Sequence, residues 1–142
     1  MTKPKPVISR LDQRRPQIEA LCRRLGVGLL YLFGSQARGD ALAFSDVDFA
    51  ALLAPAVEKS QYSEAQETLI VKLMALLERN DIDVAVLERA SPLLRHRAAT
   101  EGIVLFEADP ETHAEFFVRA LREYDDTRSL RAATRAALLD LL

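Results

Sequence analysis

Two short apolar runs, "DVDFAALL" from Asp46 and "DIDVAVL" from Asp81, each open on a pair of aspartates separated by one residue. In an extended strand, residues i and i+2 share a face. Asp46 and Asp48 therefore project together while Val47 and Phe49 point the other way, and Asp81 and Asp83 stand opposite Ile82, Val84 and Val86. Between the runs, Ser63-Glu64 opens a segment in which Leu69, Ile70, Leu73, Met74 and Leu77 recur at helical spacing as far as Asn80. Two strands joined through one helix form a crossover, which lets both lie in one sheet without deciding their order or direction.

The remaining punctuation extends this α/β pattern. Pro16, Ile18, Leu21, Cys22 and Leu25, stopped by Gly26, predict a helix, and "GLLYLF" (Gly28 to Phe33) predicts a buried strand ending at Gly34. Ser91-Pro92 reads as an N-cap followed by Pro in the first helical turn, Gly102 as the end of that helix, and "IVLF" after it as a fourth strand. Asp109-Pro110 opens a last helical region over 109–142, with Phe116, Phe117, Leu121 and Tyr124 on one face and a break at "DDTRS". The expected architecture is one domain over 1–142, a short mixed sheet carrying the acids on one face with helices packed on the other.

Bulk properties narrow the function. The 142 residues match the commonest size of one domain. With 19 Lys and Arg against 21 Asp and Glu the formal net charge is −2, so no general attraction to a phosphate backbone exists and long nucleic acid is not expected as a partner. The N-terminus "MTKPKPVISRLDQRRPQ" holds no apolar core of a signal peptide. No run approaches the roughly 18 apolar residues needed to span a bilayer, so no membrane partner and a cytoplasmic location are expected. One cysteine and two isolated histidines make neither an internal disulfide nor a zinc cluster, and Cys22 reads as a core residue.

The acids then carry the chemistry. Two carboxylates on one face repel, and a divalent cation held by oxygen ligands is the usual solution; the alternative is that Ser45 and Asp46 form a polar loop and Asp48 an exposed strand end. A neighbouring third strand would bring in one more acid. Asp83 is favoured over Asp81, because a clean apolar strand follows it while Asp81 sits beside Asn80 where a turn or cap belongs. Three carboxylates can hold two magnesium ions about 3.5–4 Å apart, the arrangement that clamps the attacking and leaving oxygens of a phosphoryl displacement. Upstream, "LFGSQARGD" (Leu32 to Asp40) ends a strand on Gly34-Ser35. A glycine without Cβ admits a phosphate close to the backbone, where amides of the short turn and the Ser35 hydroxyl can donate to it.

Gly34-Ser35, ten residues, then Asp46-x-Asp48 resembles the signature of the DNA polymerase β-like nucleotidyltransferase superfamily. Within it the chain is most similar to the minimal nucleotidyltransferases, the MntA-type antitoxins of HEPN/MNT toxin-antitoxin pairs. The likeness spans "FGSQARGDALAFSDVDFAALL", "DIDVAVL" and "SPLLRHRAATEGIVLFE". It implies a polymerase β-like fold, ATP as substrate and two magnesium ions. By position, Gly34 and Ser35 match the triphosphate-binding pair; Asp46 and Asp48 match the metal-binding pair, and Asp83 the third carboxylate. Arg38 and Gly39 match a frequent Gly-Ser-x-Ala-Arg-Gly form, with Arg38 a candidate phosphate contact or the partner of Asp40, whereas Gln36 replaces a basic residue often found there. The resemblance implies transfer of AMP to a tyrosine of a cognate HEPN ribonuclease toxin. A small-molecule nucleotidyltransferase and an antitoxin that works by binding alone are the alternatives.

Other residues have blander readings. Tyr31 is expected in the core, His96 on a solvated helix, and His113 in a first helical turn between Glu111 and Glu115 without a functional role. Arg10, Arg14 and Arg15 form either a solvated face or a docking patch.

Overall fold

The computed structural model describes residues 7–39 and 46–142. The expectations for Asp40 and Ser45 lie outside these residues. In chain order the described elements are α1 (Val7–Gln13), α2 (Arg15–Leu25), β1 (Val27–Phe33), α3 (Ser35–Arg38), β2 (Val47–Leu53), α4 (Tyr62–Leu77), β3 (Ile82–Val86), α5 (Pro92–Glu101), β4 (Ile103–Glu107), α6 (Thr112–Asp126) and α7 (Arg128–Asp140). The sheet has the order β3-β2-β1-β4, with β2 and β3 parallel and the other pairs antiparallel. It is therefore mixed, as expected, and α4 is the crossover between the two strands that open on Asp-x-Asp.

The apolar side of each acid-bearing strand builds the larger core. Val47, Phe49, Val84 and Val86 join Leu30 and Leu32 of β1 beneath Leu69, Leu73 and Leu77 of α4 and Ile18, Leu21 and Cys22 of α2. The amphipathic spacing of α2 and α4 places these residues on one stripe each. Gly26 closes α2 at φ 74°, and a Cβ there would lie 2.7 Å from Val57 Cγ2. Both the left-handed conformation and the space require glycine.

Two features were not legible in the pattern. Helix α1 precedes α2 and buries Val7 and Leu11 in the same core. Arg10 donates to the Leu77 carbonyl and to Glu78, and Arg15 to the Leu105 carbonyl, so these two arginines tie the N-terminal helices to α4 and β4. The second feature is helix cover on the acid-bearing face itself, in addition to the expected cover of the other. Leu29, Tyr31 and Ala50 on that face pack beneath Ala98 and Ala99 of α5 and Phe116 and Ala120 of α6. Large apolar side chains midway along β1 need cover whatever the role of the acids further on. Truncating a fully buried Phe such as Phe116 typically costs about 3–5 kcal/mol.

Asp81 belongs to this framework. Its carbonyl accepts the Val47 N–H at 2.9 Å, which starts the β2–β3 ladder. Both carboxylate oxygens are taken by Arg79, Nε to Oδ1 at 2.8 Å and Nη2 to Oδ2 at 2.6 Å, and the two side chains are 19% and 24% exposed. The hydrogen bond from Arg79 holds the Asp81 carboxyl below the usual range, outweighing its partial burial. A depressed carboxyl contributes stability that is complete above its unfolded value of about 3.9 and is lost as the pH falls through the folded value. Asp81→Asn is expected to cost about 0.5–1 kcal/mol at pH 7. In urea titrations that difference from the wild type should shrink progressively as the pH falls below about 4; a constant difference across the range would remove the ion pair as its cause.

Candidate active site

The site is built at the ends of three adjacent strands. In the parallel register Asp48 pairs with Asp83, and in the antiparallel register Phe33, the last residue of β1, pairs with Asp48. Neighbouring strands lie about 4.8 Å apart, so two carboxylates stand side by side on one face and the strand carrying Gly34 ends beside them. Asp46 immediately precedes β2 and is exposed; Asp83 is exposed and Asp48 half-buried.

Electrostatics follow from that placement. The Asp48 carboxyl is raised above the usual range, first by burial, then by the charge of Asp83 and that of Asp46. The three acids thus act on one another although they come from two strands. The charge of Asp46 is also felt by Arg79. Asp83 Oδ1 accepts the Val84 N–H at 2.9 Å, which turns the carboxyl back along its own strand. Among the described residues no three His, Cys, Asp or Glu side chains are grouped, as they stand, so as to hold a metal ion. The donor chemistry nonetheless fits a hard divalent cation: every side-chain donor is a carboxylate oxygen, and the most buried of them carries an unfavourable charge that a cation would relieve.

Gly34 sits against this cluster. Its φ of 75° and ψ of −150° belong to glycine, and a Cβ would lie 3.0 Å from Asp48 Oδ2. The backbone between β1 and α3 therefore approaches the carboxylate as closely as a chain can. Its carbonyl accepts the N–H groups of Ala37 and Arg38, both at 3.1 Å, which folds Ser35–Arg38 into a single turn of helix closed by Gly39 at φ 78°. Ser35 opens that turn, half-buried, and Arg38 is exposed at its end. Gly34, Ser35, Asp46, Asp48 and Asp83 are thus brought to one end of the sheet, with Arg38 one helical turn away. Asp81 is held apart by Arg79, a clamp whose only trace in the sequence is an arginine two residues upstream.

Other readings changed on contact with the fold. Tyr31 is buried as expected, yet its hydroxyl lies 2.6 Å from His113 Nδ1, and the His113 N–H donates to Glu107. Burial, then the charge of Glu107, raises the Tyr31 phenol well above its ordinary value, so it stays neutral. His113 thus has a structural partner on the core strand. His96 is half-buried rather than solvated, its ring stacked 4.2 Å from that of Tyr124.

Comparison with known proteins places the chain in a family. No curated protein matches the sequence. Among solved structures the chain is similar to one of a toxin–antitoxin with AMP-PNP, at 28% identity and a TM-score of 0.72, covering 88% of this chain and 98% of that one. It is also similar to a complex of a tri-AMPylated Shewanella oneidensis HEPN toxin with an MNT antitoxin, at 26% identity and a TM-score of 0.68, over 91% and 98% of the two chains. A third, the toxin–antitoxin MntA–HepT, matches at 25% identity and a TM-score of 0.68, over 90% and 98%. The family model for polymerase beta nucleotidyltransferases matches residues 17–111, which carry all four strands and every acid of the cluster. The chain belongs to the polymerase beta nucleotidyltransferase family.

Proposed function

We propose that this chain transfers AMP from ATP to a hydroxyl group of a partner protein, a tyrosine of a HEPN-type toxin, and so acts as its antitoxin. The observation that carries the reading is Asp48 and Asp83 paired across parallel strands with Gly34 against Asp48. It occurs in a fold shared with a toxin–antitoxin bound to AMP-PNP and with an antitoxin beside a tri-AMPylated toxin. Residues 1–142 act in this reading as one nucleotidyltransferase unit to which 109–142 add a helical region, and the use of ATP places it in the cytoplasm.

Each residue then has a role. Asp46, Asp48 and Asp83 would hold two magnesium ions, which when bound supply neutralising charge for the phosphates and a lowered proton affinity at the acceptor. The backbone at Gly34 admits the triphosphate because no side chain intervenes, and the Ser35 N–H and hydroxyl donate to its β- and γ-phosphate oxygens. Arg38 adds a positive charge at the rim. The acceptor oxygen bonds to the α-phosphorus as the bond to the bridging oxygen of the β-phosphate breaks, pyrophosphate leaves with the electron pair, and Asp83 helps to remove the hydroxyl proton. Catalysis of this kind is alignment and charge compensation rather than covalent chemistry by the protein.

Asp48→Asn is expected to abolish transfer while the metal-free protein melts at the same or a higher temperature, since the substitution removes a raised, repelled carboxylate. Labelled-ATP transfer and thermal melts read the two effects separately, and near-normal transfer would remove the metal-site assignment. Asp83→Asn should lose turnover by at least a hundredfold while Asp81→Asn keeps most of it; the reverse ranking would show that the wrong member of the pair was chosen. Mixing the chain with a HEPN partner, ATP and magnesium should add multiples of one AMP mass to that partner in intact-mass spectra, and Asp46→Asn should eliminate the addition. A partner that stays unmodified yet is inhibited by the Asp46→Asn protein would make binding, not transfer, the function.

A further inference from the structure

At the end of the sheet opposite the acids, the start of β1 at Gly28 and the end of β2 at Leu52–Leu53 form one wall of a cavity of about 460 Å³. The short turn after β3 and the first turns of α5 and α6 complete it, with Glu88 on the wall. A volume of this size takes a small organic ligand. Part of what Glu88 does there is structural. Strand β3 ends at Val86, opposite Ala51, so the Leu53 N–H lies beyond the ladder and Glu88 Oε2 accepts it at 2.7 Å.

The other oxygen has no such explanation. Among the described residues, Glu88 Oε1 is a buried side-chain polar atom without a hydrogen-bond partner, and an acceptor left unmade away from water costs free energy that an incoming donor recovers. Arg95 borders the same cavity but is engaged by Glu123, at 2.7 Å, and by the Leu87 carbonyl. The wall and rim then carry three carboxylates, Glu88, Asp109 and Glu115, against one other guanidinium, Arg119. Burial raises the Glu88 carboxyl by more than the amides of Glu88 and Leu53 and the charges of Arg95 and Arg119 lower it, which marks a group short of donors.

We infer that this cavity binds an organic cation, an ammonium or guanidinium group whose N–H donates to Glu88 Oε1 while Asp109 and Glu115 attract its charge at the rim. The terminal torsion of a Glu carboxyl is soft, so the carboxylate turns to bring Oε1 to an entering donor, both oxygens moving together and the new bond offsetting a weakened one from Leu53. The group is supplied either by a free small cation or by a basic side chain of a protein. The site is separate from the acid cluster and does not depend on nucleotidyl transfer.

Titration calorimetry of the full chain with agmatine, and in parallel with Nα-acetyl-arginine N-methylamide, tests it. Saturable binding of agmatine with one site per chain is expected, weakened at least tenfold by Glu88→Gln and unchanged within twofold by Asp83→Asn at the other end of the sheet. Binding of agmatine alone assigns a free small cation, and binding of both probes admits an arginine side chain. Should Glu88→Gln fail to fold in a thermal melt, the exposed pair Asp109→Asn with Glu115→Gln replaces it, with at least a threefold weakening expected. No saturable binding, binding indifferent to these changes, or binding lost in Asp83→Asn would overturn the site.

Discussion

The parallel register of β2 and β3 is the constraint on which the rest depends, because it sets Asp48 directly beside Asp83. Two unit charges at neighbouring-strand spacing repel by something on the order of 1–3 kcal/mol at effective dielectrics between those of a protein surface and water. The opposite face of the same strands offsets this. Val47, Phe49 and Val84 are each at most 1% exposed, and each large apolar side chain buried there contributes about 1.5–3 kcal/mol. The strand period of two ties the two effects together: the alternation that buries the valines turns the acids of both strands to the opposite face. The repulsion between the two acids is thus held by the core immediately behind them.

Two Asp-x-Asp motifs that look alike in the chain are put to different uses. In the second motif Asp81 is spanned by Arg79 through both oxygens and anchors the ladder through its carbonyl, while Asp83 keeps its charge toward Asp48. A bidentate arginine neutralises one acid, while the charge of the other acts on Asp48. Gly34 completes the arrangement from the third strand, where its φ of 75° disfavours any side chain and a Cβ would crowd Asp48 Oδ2. Close backbone approach and a dense carboxylate cluster are what displacement at a phosphate requires, since the protein's contribution is to hold charges in place.

The acid-bearing face is divided along its length. Its middle is roofed by α5 and α6, with the Tyr31–His113 hydrogen bond fixing α6 to the central strand and Arg95 joining α5 to α6 through Glu123. Its two ends remain polar, one with the aspartates and one with the Glu88 cavity.

What the chain determined by itself was local: the periodicities that make α2, α4 and four strands, the Ser91-Pro92 start of α5, whose Ser91 hydroxyl accepts the Leu94 N–H, and the glycines at 26 and 34. The Gly-Ser corner followed by Asp-x-Asp was legible for the same reason, because a strand that stops on glycine and acids at i and i+2 are set within one segment. Only the tertiary structure decided the rest. Helix α1, the second helical layer, the pairing of Tyr31 with His113 and the unpartnered Glu88 oxygen all depend on which segments meet in space. Leu77 lies 67 residues from Arg10, and His113 lies 82 from Tyr31. Side-chain period reports which way a residue faces, not what it will face, and for Glu88 that second fact is the one that carries chemistry.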